Sequence, residues 1–206
     1  MNKQDAFLSA VGGHVLDLLR LLSFDVKNPH SLSKLRNIDA VRRKTGARTM
    51  IETGTFLGVT AARAARLFEK VVTVELDEML ADKARTYLRR FPNVEVITAD
   101  ALAELPKILA RPDMMDVLVF LDGHFSGGVT AHGDVPEPAV MEIDVLASFR
   151  HKIKGIVIDD FRCFGTESGW PTKAELIASV ERHFNDEFDI TIHLDQVLVS
   201  RRGVST

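Results

Sequence analysis

Six acidic residues stand at or near the ends of short apolar runs along the chain: Glu52, Glu75, Asp100, Asp122 and the adjacent Asp159 and Asp160. An isolated aspartate in such a place is most often a helix cap. Six in one repeating context suggest a shared rim instead. A carboxylate at the end of a second strand can take both hydroxyls of a ribose, and Glu75 lies 21 residues after Gly54, the spacing at which such an acid is expected. Asp100, ending the next run, can accept a hydrogen bond from the exocyclic amino group of a purine. Together they specify an adenosine-like ligand. The turn that would receive it is Thr49–Gly58, read T-M-I-E-T-G-T-F-L-G. Gly54 and Gly58 bracket a switch from strand to helix, where glycine lets the backbone turn sharply and approach a ligand, and where free helix N–H groups attract anions. Tight packing alone is the other reading of that spacing.

The elements that must position these residues follow from periodicity. Ala47–Ile51 forms an extended run, and Val59–Phe68 is Ala-rich and helix-prone. Val71–Glu75, Val94–Thr98, the wholly apolar Val117–Leu121 and Ile153–Ile158 read as further strands. Between them, helices are expected at Asp77–Arg90, at Ala101–Ala110 with an interruption at Pro106, at Pro136–Phe149 and at Pro171–Phe184. Such alternation means right-handed crossovers and a parallel sheet, whose ligands bind outside the carboxyl ends of the strands. Phe188–His193 and Gln196–Ser200 are separated only by Leu194 and Asp195, so they pair as an antiparallel hairpin. Before the sheet, Ala6–Leu22 carries an apolar stripe of Phe7, Val11, Val15 and Leu18, suited to the body of the protein or to a second subunit in a homodimer. A second helix, capped by Ser31 or Ser33, runs to about Lys44 and ends near Gly46.

The order E-T-G-T-F-L-G, V-T-V-E, I-T-A-D-A, V-F-L-D-G-H, V-I-D-D resembles the class I S-adenosylmethionine-dependent methyltransferases. Within them it is most similar to the metal-dependent O-methyltransferases, of the catechol, caffeoyl-CoA and macrolide-sugar types. The resemblance spans about Thr49 to Gly165. It implies an α/β, Rossmann-like methyltransferase fold: a mostly parallel seven-stranded sheet, helices on both faces and a C-terminal antiparallel hairpin. It further implies that S-adenosyl-L-methionine is held by Glu52 and Thr60 at its methionine end, by the turn Gly54, Thr55 and Gly58 beneath it, by Glu75 at the ribose and by Asp100 and Ala101 at the adenine. Phe56 departs from the general pattern, which often has another glycine there; a bulky residue is common in the metal-dependent branch. Asp122, Asp159 and Asp160 match that branch's ligands for a divalent cation such as Mg²⁺, which lowers the pKa of a bound hydroxyl and orients the oxyanion for attack on the methyl group. Asp122 and His124 are the expected catalytic residues, since an imidazole two positions past the ligand suits a general base near neutral pH; an ordinary loop histidine is the alternative. His132 is a weaker candidate, Ser126–Asp134 is suited to a substrate lid, and Trp170 either borders the acceptor or packs.

Composition bounds the rest. A chain of 206 residues with 46% hydrophobic content can bury one core, which fits a single domain, residues 1–45 adding N-terminal helices to the Rossmann-like core of 46–206. A formal net charge of −3 argues against nucleic acid as a partner, and the basic cluster Arg42, Arg43, Lys44 and Arg48 reads as a solvated helix end. The single cysteine, Cys163, excludes an intramolecular disulfide, no apolar run approaches membrane-spanning length, and no signal-peptide pattern opens the chain. A soluble, cytoplasmic protein is expected. The function expected is O-methyl transfer to a hydroxyl of a small diol or sugar-like acceptor. A cofactor-binding module without turnover is the alternative from another class. A nicotinamide-dependent oxidoreductase ranks lower, because G-T-F-L-G lacks the G-x-G-x-x-G fingerprint.

Overall fold

The computed structural model of the chain describes residues 31–122 and 137–203. In order, these form α1 (Ser31–Thr45), β1 (Thr49–Thr53), α2 (Val59–Ala64), β2 (Lys70–Glu75), α3 (Glu78–Leu88), β3 (Val94–Thr98), α4 (Ala101–Ala110), β4 (Val117–Leu121), α5 (Ala139–Ser148), β5 (Ile153–Ile158), α6 (Lys173–Phe184), β6 (Phe188–His193) and β7 (Gln196–Arg201). The seven described strands make one sheet in the order β3-β2-β1-β4-β5-β7-β6. All pairings are parallel except those of β7, which runs antiparallel to both β5 and β6. The strand order reverses between β1 and β4, the point at which an open α/β sheet leaves a crevice for ligands.

Alternation along the central strands feeds two cores. Ile51, Val119 and Ile156 face a layer formed by α4, α5 and α6, whereas Met50, Leu118 and Phe120 face α1, α2 and α3. Helices therefore cover both faces, and β1 and β4 are buried along their whole length. On the second face α1 lays Ile38 and Val41 on the sheet, and it approaches β5 so closely that a Cβ on Gly155 would collide with Val41.

Several boundaries differ from the expected ones, each for a local reason. The helix after the glycine turn ends at Ala64, because Arg66 and Leu67 donate three residues back, to Arg63 and Ala64 carbonyls, and tighten the last turn. Pro106 does not interrupt α4: Leu105, Ile108 and Leu109 are buried on one face, and this packing holds the helix through the missing N–H. α5 begins at Ala139 and α6 at Lys173, the latter fixed by a capping box in which Thr172 and Glu175 bond each other's backbone N–H groups. The Leu194 and Asp195 hairpin turn takes positive φ at both residues, 47° and 65°, the twist that a two-residue antiparallel connection requires. The stripe in Ala6–Leu22 and the second-subunit role assigned to it lie outside the described residues.

Candidate active site

The register brings the acids together. Thr53, Leu121 and Ile158 are level across β1, β4 and β5, so Asp122 and Asp159 emerge one residue past a common edge. Each continues the ladder, Asp122 N–H donating to the Thr53 carbonyl at 3.1 Å and Asp159 N–H to that of Leu121 at 3.0 Å. Asp160 follows in the left-handed region, with φ 49° and ψ 40°, a conformation unfavourable for a residue with a Cβ and one found preferentially at functional sites. One carboxylate oxygen from each of Asp122, Asp159 and Asp160 falls within 4.8 Å of the others. An all-oxygen donor set converging on so small a volume fits a hard divalent cation.

A positive charge is already at this place. The Lys34 ammonium, from the first turns of α1, forms an ion pair with Asp159 Oδ2 and lies 3.4 Å from Asp122 Oδ2. Burial works against the charged lysine, but Asp122, Asp159 and Asp160 outweigh it and raise the lysine's pKa. Asp159 is pushed the other way from an ordinary carboxylate: burial raises its pKa, Asp122 adds to the rise and Lys34 opposes it. The Asp159 side chain is 0% exposed, and its Oδ1 accepts from Gln196 Nε2 at 3.1 Å. Gln196 Oε1 accepts from Asn37 Nδ2 at 2.6 Å, and Asn37 Oδ1 meets His193 Nδ1 at 2.9 Å. Asp160 is paired with Arg162 at 2.6 Å, and the same guanidinium contacts Asp195 of the hairpin turn.

A second cluster lies across the switch point, where β1 and β2 end. Glu75 Oε2 accepts from the Phe56 N–H at 2.7 Å and Oε1 from the Asp77 N–H at 3.0 Å. Both oxygens are thus held in place by backbone while keeping lone pairs for ligand hydroxyls. Phe56 has φ 48°, which explains why glycine suits this position and what the departure costs. Phe56 and Leu76 are left 46% and 36% exposed beside the acid. Gly54 and Gly58 both take positive φ, 97° and 75°. For Gly58 packing contributes as well, because an added Cβ would lie 2.8 Å from Leu88 Cδ1.

The other expected residues are distributed unevenly. Thr60 and Ala101 are half-buried near the starts of α2 and α4. Asp100 caps α4, its Oδ1 accepting from the Ala103 N–H at 3.2 Å, so one oxygen is already engaged. Glu52 and Thr55 are buried under the turn: Thr73 Oγ1 donates to Glu52 Oε2 at 2.6 Å and meets Thr55 Oγ1 at 2.6 Å. Burial drives the Glu52 pKa up to about 8, despite the opposing Thr73 hydrogen bond. Trp170 packs edge-on against Phe164 at 5.0 Å. His124, His132 and the loop Ser126–Asp134 lie outside the described residues. Sequence reading missed Lys34, Asn37, Gln196 and Arg162. Gln196 alone had a local signal, a polar residue opening an apolar strand.

Solved structures share this architecture. An O-methyltransferase from Bacillus cereus, crystallised with S-adenosylhomocysteine, aligns over 80% of this chain and 78% of its own with TM-score 0.53 at 19% identity. The fold is that of the class I methyltransferases. The N-terminal domain of EvdMO1, with S-adenosylhomocysteine bound, aligns over 82% of this chain and 80% of its own with TM-score 0.53 at 19% identity. A Clostridium thermocellum protein provisionally described as an rRNA methylase reaches TM-score 0.59 at 14% identity over 82% of this chain and 97% of its own. No protein-family model matches the chain, and no curated protein does.

Proposed function

We propose that the protein is an S-adenosylmethionine-dependent O-methyltransferase acting on a hydroxyl of a small diol or sugar-like acceptor, with a divalent cation assisting. The observation that carries this reading is the pairing of a backbone-clamped Glu75 at the end of β2 with three converging carboxylates at the ends of β4 and β5, on either side of the switch point. Glu75 binds the ribose and the Gly54 to Gly58 turn lies beneath the methionine end, with Asp100 and Ala101 at the adenine. Glu52, buried with a raised pKa, supports the turn through Thr73 and Thr55 and, with Thr60, holds the methionine end, where a cationic group would favour its charged form.

The bound cofactor supplies an electrophilic methyl group on a sulfonium. Asp122, Asp159 and Asp160 would hold the cation, whose chemistry is to acidify an acceptor hydroxyl. Gln196 fixes the orientation of Asp159 through Oδ1, and Arg162 fixes Asp160. His124, two residues beyond Asp122, is assigned the removal of the hydroxyl proton. The whole chain as one domain, with a homodimer made through the N-terminal stripe, belongs to the same proposal.

A small acceptor is preferred over RNA because the formal net charge is −3 and every member of the basic cluster has an acidic partner. Arg42 and Arg43 pair with Asp39, Lys44 with Asp189 and Arg48 with Glu69. Nonspecific polyanion binding is driven by an excess of positive charge on one face, which those acidic partners reduce. No helix among the described residues is long and apolar enough to cross a membrane.

The test is transfer from methyl-labelled cofactor to a panel of diols, sugars and RNA, with Mg²⁺ and with EDTA. Label is expected in a small hydroxyl compound, and its incorporation is expected to fall in chelator. Incorporation into RNA alone would refute the acceptor class. Full rate in EDTA would refute the metal. Asp160→Ala is expected to lower Mn²⁺ affinity and turnover together while S-adenosylhomocysteine affinity, measured by calorimetry, stays unchanged.

A further inference from the structure

The carboxylate trio is not solvated and waiting. Lys34 pairs with Asp159 Oδ2, an oxygen without any other hydrogen-bond partner, and stands 3.4 Å from Asp122 Oδ2. Its side chain is only 17% exposed, so this is not a surface lysine sampling a passing partner. One helical turn further on, Asn37 bonds both Gln196 Oε1 at 2.6 Å and the His193 carbonyl at 3.0 Å, and buried Ile38 and Val41 fasten the same helix to the sheet. The backbone carrying Lys34 is therefore fixed against the strand ends. One oxygen from each of the three acids lies within 4.8 Å of the others, and Lys34 is paired with two of those acids, so its ammonium and a divalent ion held by the same carboxylates repel each other strongly.

We propose that Lys34 is a built-in cation of this site, which competes with a divalent metal ion for Asp122 and Asp159, so that metal binds only as the lysine side chain withdraws. The proposal rests on the reading of the three acids as the metal-binding set. Lys34 keeps the buried carboxylates compensated when no metal is bound, and it sets the concentration at which metal enters. Its flexible four-carbon stem lets the charged end move toward solvent without displacing α1.

Free Mn²⁺ measured by electron paramagnetic resonance during titration of the full chain tests this. Lys34→Met is expected to bind Mn²⁺ about tenfold or more tightly than the wild type, since the variant removes a like charge from the site. Asp160→Asn is expected to reduce binding in both backgrounds. Equal or weaker binding by Lys34→Met, with Mn²⁺ bound by the wild type, overturns the competition and leaves the metal reading standing. Absence of Mn²⁺ binding in both proteins, while S-adenosylhomocysteine still binds, overturns the metal reading and this inference together. The wild type supplies a second measurement that does not depend on the variant folding. Acetylation of Lys34 by a hydroxysuccinimide ester, followed by mass spectrometry, is expected to rise about threefold or more on adding Mn²⁺, as the amine leaves its carboxylates. Labelling at exposed Lys107 should not change. Unchanged or reduced labelling of Lys34 at saturating Mn²⁺ overturns the proposal.

Discussion

Two glutamates one strand apart show how environment divides a shared chemistry. Glu75 keeps both oxygens on backbone N–H groups, whereas Glu52, beneath the turn, accepts from the Thr73 hydroxyl and is close enough to Asp122 and Lys34 to feel their charges. Removing the first should remove ligand contacts: Glu75→Ala is expected to weaken S-adenosylhomocysteine by about 1.5–3 kcal/mol, the range for hydrogen bonds to a charged group. Isothermal calorimetry checks it, and unchanged affinity would move the ribose site elsewhere. Glu52 should act on stability instead. Its pKa is about 8 in the folded protein against 4.5 for the free side chain, so the native state holds a proton that the unfolded chain has released between these values. Its contribution is complete below pH 4.5 and is lost as pH rises through about 8. Glu52→Gln cannot lose that proton. The variant is expected to gain on the wild type by on the order of a few kcal/mol between pH 5 and pH 9, read from urea unfolding curves.

Elements set what these residues can reach. Positive φ at Gly58 and the short distance from its would-be Cβ to Leu88 make this turn intolerant of a side chain. Gly58→Ala is expected to cost about 1–3 kcal/mol in chemical denaturation and to weaken cofactor binding as the turn shifts. A change below about 0.5 kcal/mol would mean that α3 adjusts freely. The same logic applies on the far side of the switch point, where α1 is pressed onto Gly155 and delivers Lys34 and Asn37 from one face. The hairpin turn is part of this arrangement: Asp195 accepts the Arg162 N–H at 2.6 Å and so links the last two strands to the loop that carries Asp160.

For the molecule as a whole, a ligand spanning the ends of β1, β2 and β4 should stabilise the fold by mass action. At a hundred times its dissociation constant S-adenosylhomocysteine is expected to add about 2.7 kcal/mol, seen as a rise in the thermal midpoint. NADH at the same concentration should leave the midpoint unchanged. A rise with NADH and none with S-adenosylhomocysteine would favour the oxidoreductase reading over methyl transfer.

Period-two and helical patterns in the sequence sufficed for the sheet, its parallel core, the hairpin and the acids at the strand ends, because these are governed by local hydrophobic alternation and turn chemistry. The places of Glu75, Asp122 and Asp159 at strand ends were legible for the same reason: each closes or directly follows an apolar run, and Asp160 comes next in the chain. Exact helix starts and ends were less so, since a capping box at Thr172 or a tightened turn after Ala64 outweighs the broad propensity of the segment. What only the tertiary structure decided is the charge state of the site. Lys34 lies 88 residues before Asp122 in the chain, in a helix whose own sequence gives no sign of that partner. Its partners are chosen by the docking of α1 on Gly155 and by the common level of β4 and β5, both long-range packing relations that no local pattern encodes. The raised pKa of Glu52 has the same origin: packing beneath the turn takes this carboxyl out of water, and that packing is decided by the sheet and not by the residues beside it in the chain.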